Sequence, residues 1–308
     1  MAAAAIVQEP EGDEAGFVSR FVSATDGLRL HVRRYGERGR GLPIVCLPGL
    51  TRNGSDFHTL ATTLTRDAAQ PRLVFTIDSR GRGRSDYDPN PENYSLPVEL
   101  ADVLAVLTAL EIGPAIFLGT SRGGILTMLL GAARPAAIAG AILNDIGPVI
   151  DVKGLVRIKG YAGKLPTPRS YEEGSEILRR LGDAQFPDLP PESWLRQARQ
   201  VWHQQDGAMV LAYDANISKT LETVDVEHPL PALWPQFDSL ARMPLMVVHG
   251  ANSDILSAAT LDAMRERRLD IDILEVPNQG HAPLLAEPDV IARIAAFVTL
   301  CDVSALGF

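Results

Sequence analysis

Gly119-Thr120-Ser121-Arg122-Gly123 follows the apolar run Ala115-Ile116-Phe117-Leu118 and leads into a helical run over residues 125–133. A strand that ends in Gly-x-Ser-x-Gly and turns at once into a helix sets the serine on a strained corner, its Oγ lifted clear of the sheet. Strand and helix then pass so closely that only small residues fit two places either side of the serine. Gly119 and Gly123 meet that need, and Gly124 adds room on the helix side. Ser121 is the candidate nucleophile, and the chain around it should alternate strands with helices.

Short apolar runs predict strands at 43–47, 73–77, 115–118, 138–143, 245–249 and 271–276. Three- and four-residue apolar spacing predicts helices near 57–64, 97–110, 258–267 and 288–300. Such alternation means a mostly parallel sheet with helices on both faces. Residues 17–23 and 28–35, joined by Thr25-Asp26-Gly27, read as a hairpin that adds an antiparallel edge. Over residues 148–237 the rhythm breaks into a stretch rich in Pro, Gly and charge that holds Trp194, Trp202 and Trp234. It reads as a helical cap inserted into a core of residues 17–147 and 238–308. Residues 1–16 carry alanines and then acids with no Lys or Arg, which suits a mobile lead-in and not a signal peptide.

The chain of 308 residues has a net charge of −9 and no basic cluster beyond Arg80, Arg82 and Arg84, which argues against nucleic acid or an anionic membrane as partner. No apolar run approaches a membrane span, so a cytoplasmic protein acting on a small-molecule substrate is expected. Oligomeric state is not readable. Cys46 and Cys301 lie far apart; Cys46, inside an apolar strand, reads as an inert core thiol. No His/Cys/Asp/Glu spacing suits a metal and the Rossmann glycine fingerprint is absent, so no metal and no cofactor are expected.

A serine hydroxyl attacks only when a base takes its proton, and the base needs an orienting acid. In a strand–elbow–helix setting the expected chain order is Ser, then Asp or Glu, then His. Asp254, in His249-Gly250-Ala251-Asn252-Ser253-Asp254, and His281, in Asn278-Gln279-Gly280-His281, both follow core strands, where open α/β sheets place their sites. Of the histidines only His281 follows Asp254. His249 closes a strand and reads as a packed histidine; His31 and His58 belong to an edge strand and a helix start, His203 and His228 to the cap. Asp145, at the end of the strand after the elbow helix, is the rival acid. Asp254 is preferred for its strand-end loop and its spacing to His281.

Charge developing on a substrate oxygen needs preorganised donors. The backbone N–H of Arg122, at a helix N-terminus, is one; the N–H of Leu50, in the Pro48-Gly49-Leu50 turn, is the candidate for the second. The Arg122 side chain either meets a substrate carboxylate or pairs with an acid such as Asp78 or Asp145. The Asp78-Ser79-Arg80-Gly81-Arg82-Gly83-Arg84-Ser85 loop lacks the lysine and helix of a phosphate loop and reads as a brace for the site. Trp194, Trp202, Tyr213 and Trp234 are candidates for the substrate pocket wall.

Leu47-Pro48-Gly49-Leu50, the loop of residues 78–85, the serine elbow, the loop of residues 250–254 and Gly280-His281 together resemble the α/β-hydrolase superfamily from about residue 17 to the end. Asn144-Asp145-Ile146-Gly147-Pro148 and Leu233-Trp234-Pro235-Gln236-Phe237 look like those of a capped bacterial subgroup of serine hydrolases. The resemblance implies an eight-stranded sheet, a cap inserted after the sixth strand and a Ser121, Asp254, His281 triad. Relatives often carry His-Gly at the oxyanion turn, where this chain has Pro48-Gly49. Serine at the elbow argues against the carboxylate nucleophile of dehalogenases and epoxide hydrolases. The expected activity is hydrolysis of a small carboxylic ester or lactone. Cleavage of a carbon–carbon bond in a β-diketone-like substrate, and a non-catalytic ligand sensor, are the alternatives.

Overall fold

A computed structural model describes residues 16–66, 71–222, 224–225 and 230–305. Most of the expected lead-in, and His228, lie outside the described residues. Strands β1 (Val18–Ser23), β2 (Arg29–Tyr35) and β3 (Ile44–Leu47) are followed by α1 (His58–Thr65), β4 (Val74–Ile77) and α2 (Leu96–Ala109). Then come β5 (Ala115–Thr120), α3 (Arg122–Ala133) and β6 (Ile138–Asn144). An insertion follows, made of α4 (Val152–Tyr161), α5 (Tyr171–Gly182), α6 (Pro191–Val201), β7 (Trp202–Gln205), β8 (Ala208–Leu211) and α7 (Trp234–Asp238). The chain closes with β9 (Leu245–Gly250), α8 (Ala258–Arg267), β10 (Asp272–Val276) and α9 (Pro288–Ala305).

Eight strands form one sheet in the order β1-β2-β4-β3-β5-β6-β9-β10. β2 runs antiparallel to both β1 and β4, and every pairing from β4 to β10 is parallel. The inner parallel strands β3, β4, β5, β6 and β9 are apolar at nearly every position because both faces are covered, whereas the edge strand β10 carries Asp272 and Glu275. Alternate side chains divide between two cores. Val45, Leu47, Phe117, Leu143 and Val247 pack with Val106 of α2 and Leu126 of α3. Ile44, Cys46, Ile116, Leu118 and Met246 pack on the opposite face with Leu60 of α1 and Ile294 of α9. Each such side chain stabilises the fold by ~1.5–3 kcal/mol when fully buried. Burial pushes the Cys46 thiol far above its ordinary range, and that of Cys301 up to about 12, so both are inert packing groups.

The insertion departs from a purely helical reading. β7 and β8 form an antiparallel hairpin closed by Asp206-Gly207, with φ of 48° and 81°. Both values lie in the left-handed region that a two-residue hairpin turn requires, which is what an Asp-Gly pair supplies. Asp151 caps α4 by accepting from the Lys153 N–H, which sets the start of the helix carrying Arg157 and Tyr161. Among the described residues no helix is long and apolar enough to cross a membrane.

Candidate active site

The parallel strands end on one side, and the chemistry gathers there. Ser121 follows β5 with φ 52° and ψ −116°, a conformation that costs a non-glycine residue ~1–3 kcal/mol. The surroundings enforce it. A Cβ on Gly123 would stand 2.0 Å from the Leu47 carbonyl oxygen, and one on Gly119 would stand 2.4 Å from the Gly123 backbone. The Ser121 N–H donates to the Asn144 carbonyl at 3.0 Å, tying the elbow to the neighbouring strand β6.

His281 lies in the loop between β10 and α9. Its Nε2 is 2.8 Å from Ser121 Oγ, and its Nδ1 is 2.8 Å from Asp145 Oδ2. The sequence expectation for the acid is thereby corrected: Asp145, and not Asp254, meets the imidazole. Asp145 directly follows β6, between β5 and β9, so its carboxylate already lies beside the elbow. Its N–H donates to the Val248 carbonyl at 2.7 Å. The carboxylate accepts from the Gly250 N–H at 2.9 Å and the Ser253 hydroxyl at 2.5 Å, and it is wholly buried. The loop of residues 250–254 thus reaches the site through a hydroxyl and a backbone N–H. Asp254 is taken up by Arg157 of α4, which grips it with Nε at 2.7 Å and Nη2 at 2.8 Å. Burial raises the Asp254 pKa, but the Arg157 guanidinium more than offsets this and holds the carboxyl below its ordinary value.

The insertion also reaches the histidine loop. Gln185 accepts from the His281 N–H at 2.8 Å through Oε1, and its own backbone carbonyl accepts from Asn252 Nδ2 at 3.2 Å. Asn144 Nδ2 donates to the Pro283 carbonyl at 3.1 Å, fixing the far side of that loop. Sequence reasoning missed both residues. Gln185 carries no motif, and Asn144 stands out in the sequence only as part of a resemblance.

Arg122 opens α3, so its N–H has no partner within the helix. Neither that N–H nor the N–H of Leu50 donates to another described residue, and Leu50 lines the same cavity as Ser121. Both residues are anchored on one buried carboxylate, Glu99 of α2. Glu99 accepts from Arg122 Nε at 2.6 Å and from Arg82 Nη1 at 2.7 Å, while Arg82 Nε donates to the Leu50 carbonyl at 2.8 Å. The Arg122 side chain therefore meets neither Asp78 nor Asp145. Burial raises the Glu99 pKa, but Arg82 and Arg122 override this and keep it below the ordinary value. Glu99→Gln should weaken both anchors at once and cost ~3–5 kcal/mol of stability, because it leaves buried charge unpaired. It should also lower kcat by less than the ~10²–10³ expected for complete loss of one oxyanion donor. Denaturant unfolding and steady-state kinetics check the two effects.

The loop of residues 78–85 is the expected hydrogen-bonded brace. Asp78 accepts from the Gly54 and Arg84 N–H groups and contacts His31 Nδ1 at 2.8 Å. Gly83 N–H donates to the Ala212 carbonyl and Asp214 N–H to the Gly81 carbonyl, each at 2.8 Å, so the loop also holds the insertion around Tyr213. His249 donates to or accepts nothing at the elbow; its Nε2 meets the Leu256 carbonyl at 3.1 Å.

A cavity of about 210 Å³ opens over Ser121 and His281, walled by the insertion. Of the four aromatic candidates, Trp194 and Tyr213 line it. Trp202 and Trp234 are corrected. Trp202 is fully buried in a small cluster with Ala198, Val201 and Met209. Trp234 packs against the main core edge-on to Phe237, with the Arg267 guanidinium 5.1 Å from its ring centre. Among the described residues no group of three or more His, Cys, Asp or Glu side chains stands where it could hold a metal ion.

Residues 44–294 match the model of a family described as the alpha/beta hydrolase family. A 3-hydroxybutyrate-oligomer hydrolase of Cupriavidus necator is 30% identical, covering 92% of this chain and 97% of its own. A 2-(acetamidomethylene)succinate hydrolase of Mesorhizobium japonicum is 24% identical over 90% of this chain and 93% of its own. Among solved structures, an alpha/beta hydrolase from Novosphingobium aromaticivorans superposes with a TM-score of 0.85 at 39% identity, covering 92% of this chain and 98% of that one.

Proposed function

This chain belongs to the alpha/beta hydrolase family, and from that premise we propose that it hydrolyses a small carboxylic ester or lactone through an acyl-enzyme. One observation carries the reading: Ser121 Oγ, the His281 ring and the Asp145 carboxylate stand in an unbroken hydrogen-bonded line with 2.8 Å at each step. Ser121 Oγ attacks the substrate carbonyl while His281 Nε2 takes its proton. Asp145 keeps the Nδ1 proton on the far side of the ring and stabilises the imidazolium that forms. The N–H groups of Leu50 and Arg122 hold the tetrahedral oxyanion. As the C–O bond breaks, His281 returns its proton to the leaving alkoxide. Water then repeats the sequence on the acyl-enzyme, releasing the acid and restoring Ser121. The Cupriavidus relative is named for oligomers of 3-hydroxybutyrate, whose repeating link is an ester, and this supports an ester as the bond cleaved.

The test is covalent capture together with turnover. A fluorophosphonate should modify one residue per chain, Ser121, and stop hydrolysis of p-nitrophenyl acetate in proportion to labelling. Multiple turnovers before labelling would separate an enzyme from a ligand sensor. Peptide mapping that finds the label on another residue, or full activity in labelled protein, would sink the proposal.

A further inference from the structure

The chain carries a net charge of −9, yet the wall of the cavity over Ser121 has the opposite balance. Arg52, Arg157 and Arg196 line it against a single carboxylate, Asp56. Asp254 stands behind Arg157 and is not part of the wall. Arg52 lies two residues past Leu50. Its Nε and Nη2 bond Asp56 at 2.8 and 2.7 Å, and Nη2 also bonds Gln200 Oε1 at 2.8 Å. Those contacts occupy one edge of the guanidinium and fix its plane. Its Nη1 donates to no described residue and is not sealed off by burial. Arg157 gives Nε and Nη2 to Asp254 and, weakly, to Gln185, and its guanidinium also lies against the Tyr161 hydroxyl, which it orients toward the cavity as an acceptor with its own proton still to give.

Two phenols complete the cluster. Burial raises the pKa of Tyr161, opposed by the nearby Arg157 and Arg52 guanidiniums; the net shift is upward, so it stays a protonated donor. Tyr213 accepts from the Gly163 N–H at 3.0 Å, which leaves its own proton to give. Every one of these groups offers a hydrogen, and the fixed guanidinium edges match a planar oxyanion. The neighbouring wall, with Phe186 and Trp194, is apolar.

We propose that this cavity recognises a carboxylate, so that the substrate is an ester whose acyl or alcohol half ends in a carboxylate held by Arg52, Arg157 and Tyr161. The proposal rests on the reading of Ser121 as the nucleophile of an ester hydrolase. Hydrogen bonds to a charged partner make a difference of about 10- to 100-fold in selectivity, and the open cavity keeps the effect within that range.

Two matched pairs test it: 3-acetoxybutyrate against its methyl ester, and monomethyl glutarate against dimethyl glutarate. In at least one pair kcat/KM should favour the charged member by about 10-fold or more, and added salt should shrink that ratio. Arg52→Gln should bring the ratio to within about threefold of one, and Arg52→Lys should restore part of it. Tyr161→Phe, which removes a single hydroxyl, should lower the ratio without the loss of the Asp56 contact. Ratios near one in both pairs, or ratios that Arg52→Gln and Tyr161→Phe leave unchanged, would overturn the inference. Calorimetric titration of Ser121→Ala protein with the same four compounds separates the two levels. Preferential binding of the charged members, with no ester turned over by the unaltered chain, keeps carboxylate recognition and removes the esterase reading. Turnover of the neutral esters with no preference in either assay does the reverse.

Discussion

Ser121→Ala should lower kcat for ester hydrolysis by on the order of 10⁶-fold, with the fold intact. The reason is that no second hydroxyl can take its place. His281 Nε2 is satisfied by Ser121 Oγ at 2.8 Å, and the elbow puts that one atom above the end of β5. The residual rate should come from the N–H groups of Leu50 and Arg122 acting on water-mediated attack. The same residue carries a second signature. Its φ of 52° and ψ of −116° are costly for any side chain, and alanine keeps that cost whereas glycine does not. Ser121→Gly should therefore be as inactive as Ser121→Ala but more stable than it by about 1 kcal/mol, read from the urea midpoint at constant slope. An alanine variant with activity within tenfold of the unaltered chain would refute the nucleophile assignment. Equal stability of the two variants would mean that the corner is less strained than its angles imply.

Much of this architecture is legible in the chain because several signals agree. The elbow pattern, apolar strands of four to six residues and the spaced helices all describe one parallel sheet, and the described elements follow them closely. Ser121 and His281 are legible for a local reason: each is placed by the backbone immediately around it, a glycine-flanked corner and a short loop after a strand. The acid is different. Asp145 and Asp254 both follow core strands, and both precede His281. What decides between them is which neighbour neutralises each one, and Arg157, 97 residues before Asp254 in sequence, captures the second. Nothing local to Asp254 announces that partner. The aromatic residues of the insertion divide for the same reason: Trp194 reaches the cavity while Trp202 closes a small core of its own, and the chain gives no periodic pattern that separates them. The β7–β8 hairpin carries a local signal, the Asp206-Gly207 turn pair, which reading the whole stretch as a helical cap passes over.

Asp145→Asn is expected to lower kcat by on the order of 10⁴-fold, while Asp254→Asn stays within about tenfold of the unaltered chain. Asp145 Oδ2 takes both the His281 Nδ1 hydrogen and the Ser253 hydroxyl, and Oδ1 takes the Gly250 N–H. An amide in that place has one acceptor oxygen. The Gly250 N–H is a fixed donor and draws the oxygen to itself, which turns the amide NH₂ toward the imidazole. Nδ1 must then accept, the ring proton moves to Nε2, and the base presents a hydrogen to Ser121 Oγ where a lone pair is needed. Geometry survives and the tautomer is wrong. Asp254→Asn instead breaks the grip of Arg157, a contact between the insertion and the strand-end loop that is hydrogen-bonded to His281 by way of Gln185 and acts on the ring itself only through its charge. Its main effects should be on stability and on KM, because the cavity wall loses the group that orients Arg157. The double variant should be slower in kcat than Asp145→Asn by no more than the factor that Asp254→Asn shows alone, since the imidazole hydrogen-bonds a single acid. If Asp254→Asn instead removes four decades of rate and Asp145→Asn does not, the acid in the working enzyme is Asp254, and Arg157 must release it during turnover.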